Sequence, residues 1–454
     1  SSVLVSSLLF GASALSSMSA LADSRVDGKL TDASQSVFFQ GASVKLKELN
    51  LATTTNRDGS FSFINIKPGT YTLEIQYIGA PKVIKTIVVA EEQNHSANYV
   101  IGQEMESVIV YGQIAGAASA LSRERASDNL KSIVSSDGIG QFPDQNAAEA
   151  LQRLSGVSIL RDQGEGRFVG VRGIDPNLNN VTINGLNVPS PESGVRSVAL
   201  DVIPSELVES LEVSKTLTPD MDANALGGSI EVKSLSAFDR KGQSITLNAA
   251  VSHNELVGEP SPKLSGSFSD RSTFVNGGVL GIATAISWFK REFGSENIET
   301  DSGWSVMEFE DAASGDDVEL YGAEEIEQRV YQITRERVGM ALNLDYHHNS
   351  DNRFYLRTLY SDFSDNEFRM RNEYKFEKGK LDSAASSATH GQFTEAEMDR
   401  DTKDREQVQE ILSLIGGAEH DFEDWKLTYS IGYSKSNESE DDHIDADFAG
   451  EAID

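Results

Sequence analysis

From residue 243 onward the chain alternates apolar and polar positions in long runs. In residues 244–252, Ile245, Leu247, Ala249 and Val251 fall on one side and the polar residues on the other. Runs at 264–269, 279–289, 338–346, 353–363, 408–419 and 425–433 repeat the pattern. A period of two is the signature of a strand with one apolar face. Strands of about 9–11 residues suit the tilted wall of a membrane β-barrel. Tyr, Trp and Phe near the run ends, such as Trp288 and Phe289, fit interfacial girdles. Short connections at 349–352 and 420–424 alternate with long polar insertions at 292–327 and 377–404. That is the rhythm of short turns at one rim and long loops at the other.

The segment before this wall is patterned differently. Residues 23–102 read as short strands between turn signals: 44–47, 61–63, 71–77 and 84–89. Tyr71, Leu73, Ile75 and Tyr77 share a face, as a two-sheet sandwich requires. Asn56-Arg57-Asp58-Gly59 and Lys67-Pro68-Gly69-Thr70 supply turns. Residues 121–240 mix both periods. An amphipathic helix is expected over 144–157, stopped by Gly156. Strands follow at 167–174, 181–186, 208–215 and 228–232. Between sandwich and mixed region lies Glu106-Ser107-Val108-Ile109-Val110-Tyr111-Gly112. Its apolar, β-prone centre suits an extended segment that adds to a partner's sheet, or equally a last strand of the sandwich.

Composition narrows the classes. A net charge of −32, from 39 basic and 71 acidic residues, repels nucleic acid. Cysteine is absent, which removes disulfides, thiolate–zinc sites and thiol nucleophiles. Residues 1–22 are uncharged, with an apolar run and the ending Ala20-Leu21-Ala22. This matches the hydrophobic and cleavage regions of a signal peptide without its basic start, and predicts export. No other apolar run reaches the about 18 residues that a membrane helix needs.

Residues 58–73, from Asp58-Gly59-Ser60-Phe61 to Tyr71-Thr72-Leu73, resemble the carboxypeptidase regulatory-like domain. That resemblance implies a seven-stranded accessory sandwich without catalytic function. The order Asn146-Ala147-Ala148-Glu149-Ala150-Leu151, Val171-Arg172-Gly173, Ile183-Asn184-Gly185 and Ala225-Leu226-Gly227-Gly228-Ser229-Ile230 resembles the plug of TonB-dependent outer-membrane receptors. Each motif is weak alone, but their order is specific. The resemblance implies a mainly β protein: signal peptide at 1–22, sandwich at 23–102, TonB box and linker at 103–120, an α+β plug at 121–240 and a transmembrane barrel from 241 to 454. About seven strands are legible against the roughly 22 of such plugged barrels, so a fragment is expected.

Further expectations come with the family. Glu106, Ser107, Val108, Ile109, Val110, Tyr111 and Gly112 are expected to pair with TonB and its inner-membrane energising complex. Arg172 is expected to hold the plug by pairing with barrel acids, and Gly173, Asn184, Gly185, Gly227 and Gly228 to shape its turns. The implied setting is the outer membrane of a Gram-negative bacterium, in contact with its lipid, with sandwich and box on the periplasmic side. The cargo implied is a nutrient ligand, a glycan or oligosaccharide, with a surface lipoprotein as possible partner. Ferric-siderophore uptake is the alternative cargo, and a secreted β-sandwich adhesion protein the alternative class. Neither catalytic residue nor cofactor is expected.

Three short motifs would point to a metal or a phosphate instead. His420 and Glu423 fit the letters of a zinc pair but fall at a turn. Asp220, Asp222, Asn224 and Glu231 match EF-hand spacing, but Ala225 stands where the sharp turn needs glycine. Gly164-Glu165-Gly166 is too short to cradle a phosphate.

Overall fold

The structure is a computed structural model that describes residues 24–32, 38–90, 94–101, 111–139, 144–239, 242–275, 277–300, 303–349, 351–422 and 425–453. Two compact units divide the chain, the first being residues 1–106 with 421–427 and the second the remainder.

The first unit is a β-sandwich of seven strands. Strands β1 (Ser24–Thr31), β4 (Ser60–Ile66) and β7 (His95–Val100) form one sheet, ordered β4-β1-β7. Strands β2 (Ser43–Leu46), β3 (Leu51–Thr54), β5 (Gly69–Gln76) and β6 (Val83–Val89) form the other, ordered β3-β2-β5-β6. The alternation seen in β5 is realised: Tyr71, Leu73 and Ile75 are buried, with Val26, Leu30, Val44, Phe61 and Ile66 among their core partners. β1 and β7 pair in parallel and carried no clear alternation signal of their own.

The second unit begins with α1 (Tyr111–Ala126), so Tyr111 and Gly112 are helical where an extended segment was expected. Glu106, Ser107, Val108, Ile109 and Val110 lie outside the described residues. Next come β8 (Lys131–Ser135), α2 (Ser136–Ile139), α3 (Ala147–Leu151), β9 (Val157–Asp162), β10 (Glu165–Val171), β11 (Asn179–Ile183), β12 (Leu186–Asn187), β13 (Val208–Ser214) and β14 (Gly228–Ser234). β9 and β10 form a hairpin, and the other strands a sheet ordered β12-β11-β14-β13-β8. The expected helix over 144–157 is shorter. Asn146 caps α3 by accepting from Glu149 N at 2.9 Å, and the chain leaves helical geometry well before Gly156.

An open, antiparallel wall of seven strands follows, ordered β15-β16-β17-β20-β21-β24-β25. Its strands are β15 (Ser244–His253), β16 (Pro260–Thr273), β17 (Val279–Glu299), β20 (Glu325–His347), β21 (Asn352–Lys375), β24 (Ala396–Asp421) and β25 (Lys426–Ile453). Two small hairpins interrupt them, β18 (Ser305–Glu310) with β19 (Asp317–Gly322), and β22 (Lys380–Leu381) with β23 (Phe393–Thr394). From β17 onward the strands run 21 to 28 residues, about twice the expected length. Much of the supposed loop sequence is therefore strand.

The physical reason lies in the two faces. Ile282, Ile286, Met340, Leu342, Leu356 and Leu414 point outward and are exposed, giving a band in which alternation is visible. Beyond it the inward face is charged and the outward face only sparsely apolar, with Phe368 and Met370, so little hydrophobic period marks the strand. Pairing continues there because the inner face carries ion pairs, including Arg329 with Glu299 at 2.8 Å and Arg371 with Glu327 at 3.3 Å. The plug core joins the inner face of the wall in one cluster, where Leu200, Val202, Ile203 and Leu211 lie with Ala341, Leu359, Phe363 and Ile411.

Candidate functional site

The plug motifs come together at strand ends. Asn184 (φ 51°) and Gly185 (φ 84°) form the turn between β11 and β12, both in the left-handed region that a two-residue hairpin turn of this kind needs. The Asn184 side-chain oxygen accepts from Ser234 N at 3.1 Å, and Gly185 N donates to Glu231 Oε1 at 2.8 Å. Burial pushes the Glu231 carboxyl up, and it also accepts from the Thr182 hydroxyl. Those bonds commit the group that closed the EF-hand spacing. Asp222 likewise accepts from Asn187 Nδ2 at 2.8 Å.

Arg172 and Gly173 form a second left-handed turn, with φ of 59° and 72°. The guanidinium of Arg172 donates from Nε to Gly227 O and from Nη2 to Leu226 O, each at 3.0 Å. Its expected pairing with barrel acids is absent among the described residues. Held by that turn beside the 226–227 backbone, the side chain satisfies carbonyls within the plug instead. Gly227 and Gly228 are required by close approach. A Cβ on Gly227 would stand 2.1 Å from Asn179 Oδ1, and one on Gly228 2.8 Å from both Ser214 O and Val171 Cγ1.

Plug and wall are joined by a buried ionic cluster that sequence reading missed, and its polarity is the reverse of the one expected. The acid belongs to the plug and the arginines to the wall. Glu165, at the start of β10, accepts from Arg291 on β17 and from Arg335 and Arg337 on β20. Arg335 is fully buried and Arg337 1% exposed, so neither is a solvated surface charge. Each is tied further. Arg335 Nε lies 2.8 Å from Asp365 Oδ2, and its Nη2 donates to Gln163 Oε1 at 2.6 Å. Arg337 Nε donates to the backbone oxygen of Asp201 at 2.9 Å. Burial alone would push the Glu165 carboxyl up, but Arg337, Arg335 and Arg291 together hold it at about 2. Faces of Phe293 and Phe363 cover the guanidiniums, with Arg291 4.1 Å from the Phe293 centroid and Arg337 4.9 Å from that of Phe363.

Asp201 stands beside this cluster, fully buried, with Arg167 Nη1 at 3.6 Å. Neither of its carboxyl oxygens has a hydrogen-bond partner among the described residues. Burial pushes this carboxyl up, against the pull of Arg167 and Arg337. Two further attachments use plug hydroxyls: Asn343 Nδ2 donates to Ser234 Oγ at 2.8 Å, and Ser236 Oγ donates at 2.7 Å to Asp345 Oδ2, whose carboxylate also pairs with Arg357.

A second buried acid anchors α1. Glu212 on β13 lies 3.2 Å from Arg123 Nη1, 2.9 Å from Lys131 Nζ and 2.6 Å from Lys233 Nζ. Burial again opposes ionisation, and the three cations outweigh it to leave this carboxyl at about 2. His420 is committed on both nitrogens, to Asn352 Oδ1 at 2.6 Å and the Tyr429 hydroxyl at 3.2 Å, while Glu423 lies outside the described residues. Among the described residues no helix is long and apolar enough to cross a membrane, which says nothing of strands.

A spacing signal for the cluster does exist. Arg335 and Arg337 are two apart, so they share one strand face just before the apolar alternation begins at Val338. Two arginines on the inward face need a counter-charge, but only the fold says that Glu165 supplies it.

Residues 123–229 match the TonB-dependent Receptor Plug Domain family, and residues 26–110 match the CarboxypepD_reg-like domain family. No curated protein matches the chain. Among solved structures, the siderophore receptor PirA from Acinetobacter baumannii is similar at 11% identity and TM-score 0.31, over 73% of this chain and 57% of that one. The outer membrane transporter YddB from Escherichia coli is similar at 9% and 0.29, over 70% and 54%. Copper transporter OprC is similar at 14% and 0.33, over 69% and 47%. The chain thus spans about half the length of these structures.

Proposed function

We propose that this chain, which carries the plug of TonB-dependent receptors behind a CarboxypepD_reg-like domain, serves energised uptake of a nutrient across a bacterial outer membrane. TonB-dependent receptors transport and do not catalyse. The observation that carries the reading is the ionic cluster at Glu165. It fixes a compact plug against the inner face of a lipid-compatible wall through side chains, a connection that can be broken without unravelling the wall.

In this reading, ligand reaching the outer side of the plug frees the segment Glu106 to Gly112 on the periplasmic side. TonB pairs with it backbone to backbone and pulls. Force then enters the plug through α1, whose Arg123 is bound to Glu212. The sandwich lies in the periplasm ahead of the box. The cargo is an oligosaccharide, a reading that rests on the sandwich-before-box arrangement. A surface lipoprotein that delivers it is a fitting partner. Deletion of residues 106–112 in the full-length protein tests the coupling step. Ligand binding to whole cells should survive while uptake stops, and continued energy-dependent uptake would remove that segment from the mechanism.

A further inference from the structure

The inner face of the wall above the plug is lined with charged residues that answer one another. Arg329 meets Glu327 and Glu299, Arg371 meets Asp401, Glu327 and Glu373, Lys375 meets Asp399 and Glu397, and Arg405 meets Glu367 at 3.3 Å. Two cations break the pattern. Arg369 on β21 and Lys403 on β24 are directly opposite in register, with Tyr331 of β20 completing the row. Among the described residues no carboxylate lies within ion-pair distance of either. The Arg369 Nε is buried and has no hydrogen-bond partner there. Like charges directly opposite across a ladder are destabilising, and Asp401 offsets the Arg369 charge only from a distance, so an anion on the row would relieve a cost to the wall.

There is room for one. The row borders a cavity of about 620 Å³. The plug contributes Leu160 and Phe168 to its lining together with the charged Arg161, Asp162, Arg167 and Glu192. Glu367, Arg405, Gln407 and Glu438 of the wall also reach it. We propose that Arg369 and Lys403 form a carboxylate-binding subsite for the transported ligand. Leu160 and Phe168 offer an apolar surface to its body, and Gln407 and Glu438 take its hydroxyl groups. The inference deepens the uptake reading and rests on it. It narrows the cargo to an acid. Sugar acids and metal chelates of hydroxy acids share that chemistry.

The test uses the full-length protein purified from outer membranes in detergent. Calorimetric titration with trigalacturonate, ferric citrate and neutral maltotriose is run at low and high salt. Binding of trigalacturonate identifies a sugar-acid source, and binding of ferric citrate alone a chelate source. In either case R369Q and K403Q should each weaken the acid about tenfold or more. K403R should retain most of the affinity, and high salt should weaken binding. Failure of both acids to bind, maltotriose binding as tightly as trigalacturonate, or unchanged affinity in the double variant would each overturn the subsite. If the variants do not fold, acylation of Lys403 in the wild-type protein gives the answer by mass spectrometry. Either acid should protect it, and full labelling with both present overturns the proposal. Loss of uptake on deleting residues 106–112 stands apart from this result, so failure of the subsite leaves the coupling reading intact.

Discussion

Arg335 on the wall places Nη1 3.2 Å from Oε2 of Glu165 on the plug, 170 residues away in sequence. The same carboxylate meets Arg291 and Arg337, so three wall cations share one plug acid, with Asp365 as a second counter-charge for Arg335. Replacement of Glu165 by Gln leaves the buried Arg337 without its carboxylate and Arg335 with Asp365 as its nearest counter-charge. Breaking a buried pair from one side costs about 3–5 kcal/mol. The plug of E165Q should unfold at lower urea than wild type, while heat-modifiable migration of the wall is unchanged. A wild-type urea midpoint would show that the cluster does not hold the plug.

The cluster also sets a pH dependence. Glu165 and Glu212 are held at about 2 in the folded plug, below the roughly 4.3 of a free glutamate. A depressed carboxyl adds stability that is present above its unfolded value and lost as pH falls through the folded one. Resistance of the plug to urea should be steady above about pH 5 and decline from there toward pH 2. E165Q should show a shallower decline.

Asp201 has the opposite sign. Its folded carboxyl is pushed up by burial, so the folded state favours the protonated form. Ionisation at neutral pH then costs stability, and that cost fades as the pH falls. D201N should raise the urea midpoint of the plug at pH 7 by the equivalent of about 1–3 kcal/mol. At low pH the gain should disappear. A loss at pH 7 would mean that Arg167 depends on the charge.

Gly228 is fixed by backbone. A methyl group there meets Ser214 O and Val171 Cγ1 at 2.8 Å, between β13 and β10. G228A should destabilise the plug by about 1–3 kcal/mol, the usual cost of overpacking. Gly164 is a control, because nothing lies within 4 Å of a Cβ there and only its φ of 84° resists substitution.

Among the described residues the wall has two free edges, β15 and β25. Their unpaired N–H and C=O groups cannot be left in hydrocarbon. The polypeptide of 454 residues by itself should neither insert into liposomes nor conduct. Conductance from it would show that the edges find partners, for example in a second copy.

Much of the architecture was legible because it depends on local period. Alternation located four of the seven sandwich strands, missing β1 although it too buries one face, and it located the stretch of the wall strands whose outward face is apolar. It failed at residues 325–337 and 364–375, where ion pairs fill the inward face and only scattered apolar residues such as Phe368 and Met370 stand on the outward one, too few to mark a strand. The helix over 144–157 was overestimated because Leu154, which extends the apolar spacing, packs from a turn. Plug motifs were recognised in order, and their glycines do sit at turns and close approaches. Among the described residues Arg172 meets the carbonyls of Leu226 and Gly227, a contact the sequence gives no sign of, since it does not say what a left-handed turn places beside a guanidinium.

By itself the sequence determined the modules, their order and the strand-rich class, since each follows from residues close together in the chain. Only the tertiary structure decided which charges meet. Glu165 and Arg335, or Arg369 and Lys403, lie far apart along the chain, and their energies depend on burial and register. No local pattern encodes those. They arise when the plug packs against the wall and when two long strands settle in one alignment out of many.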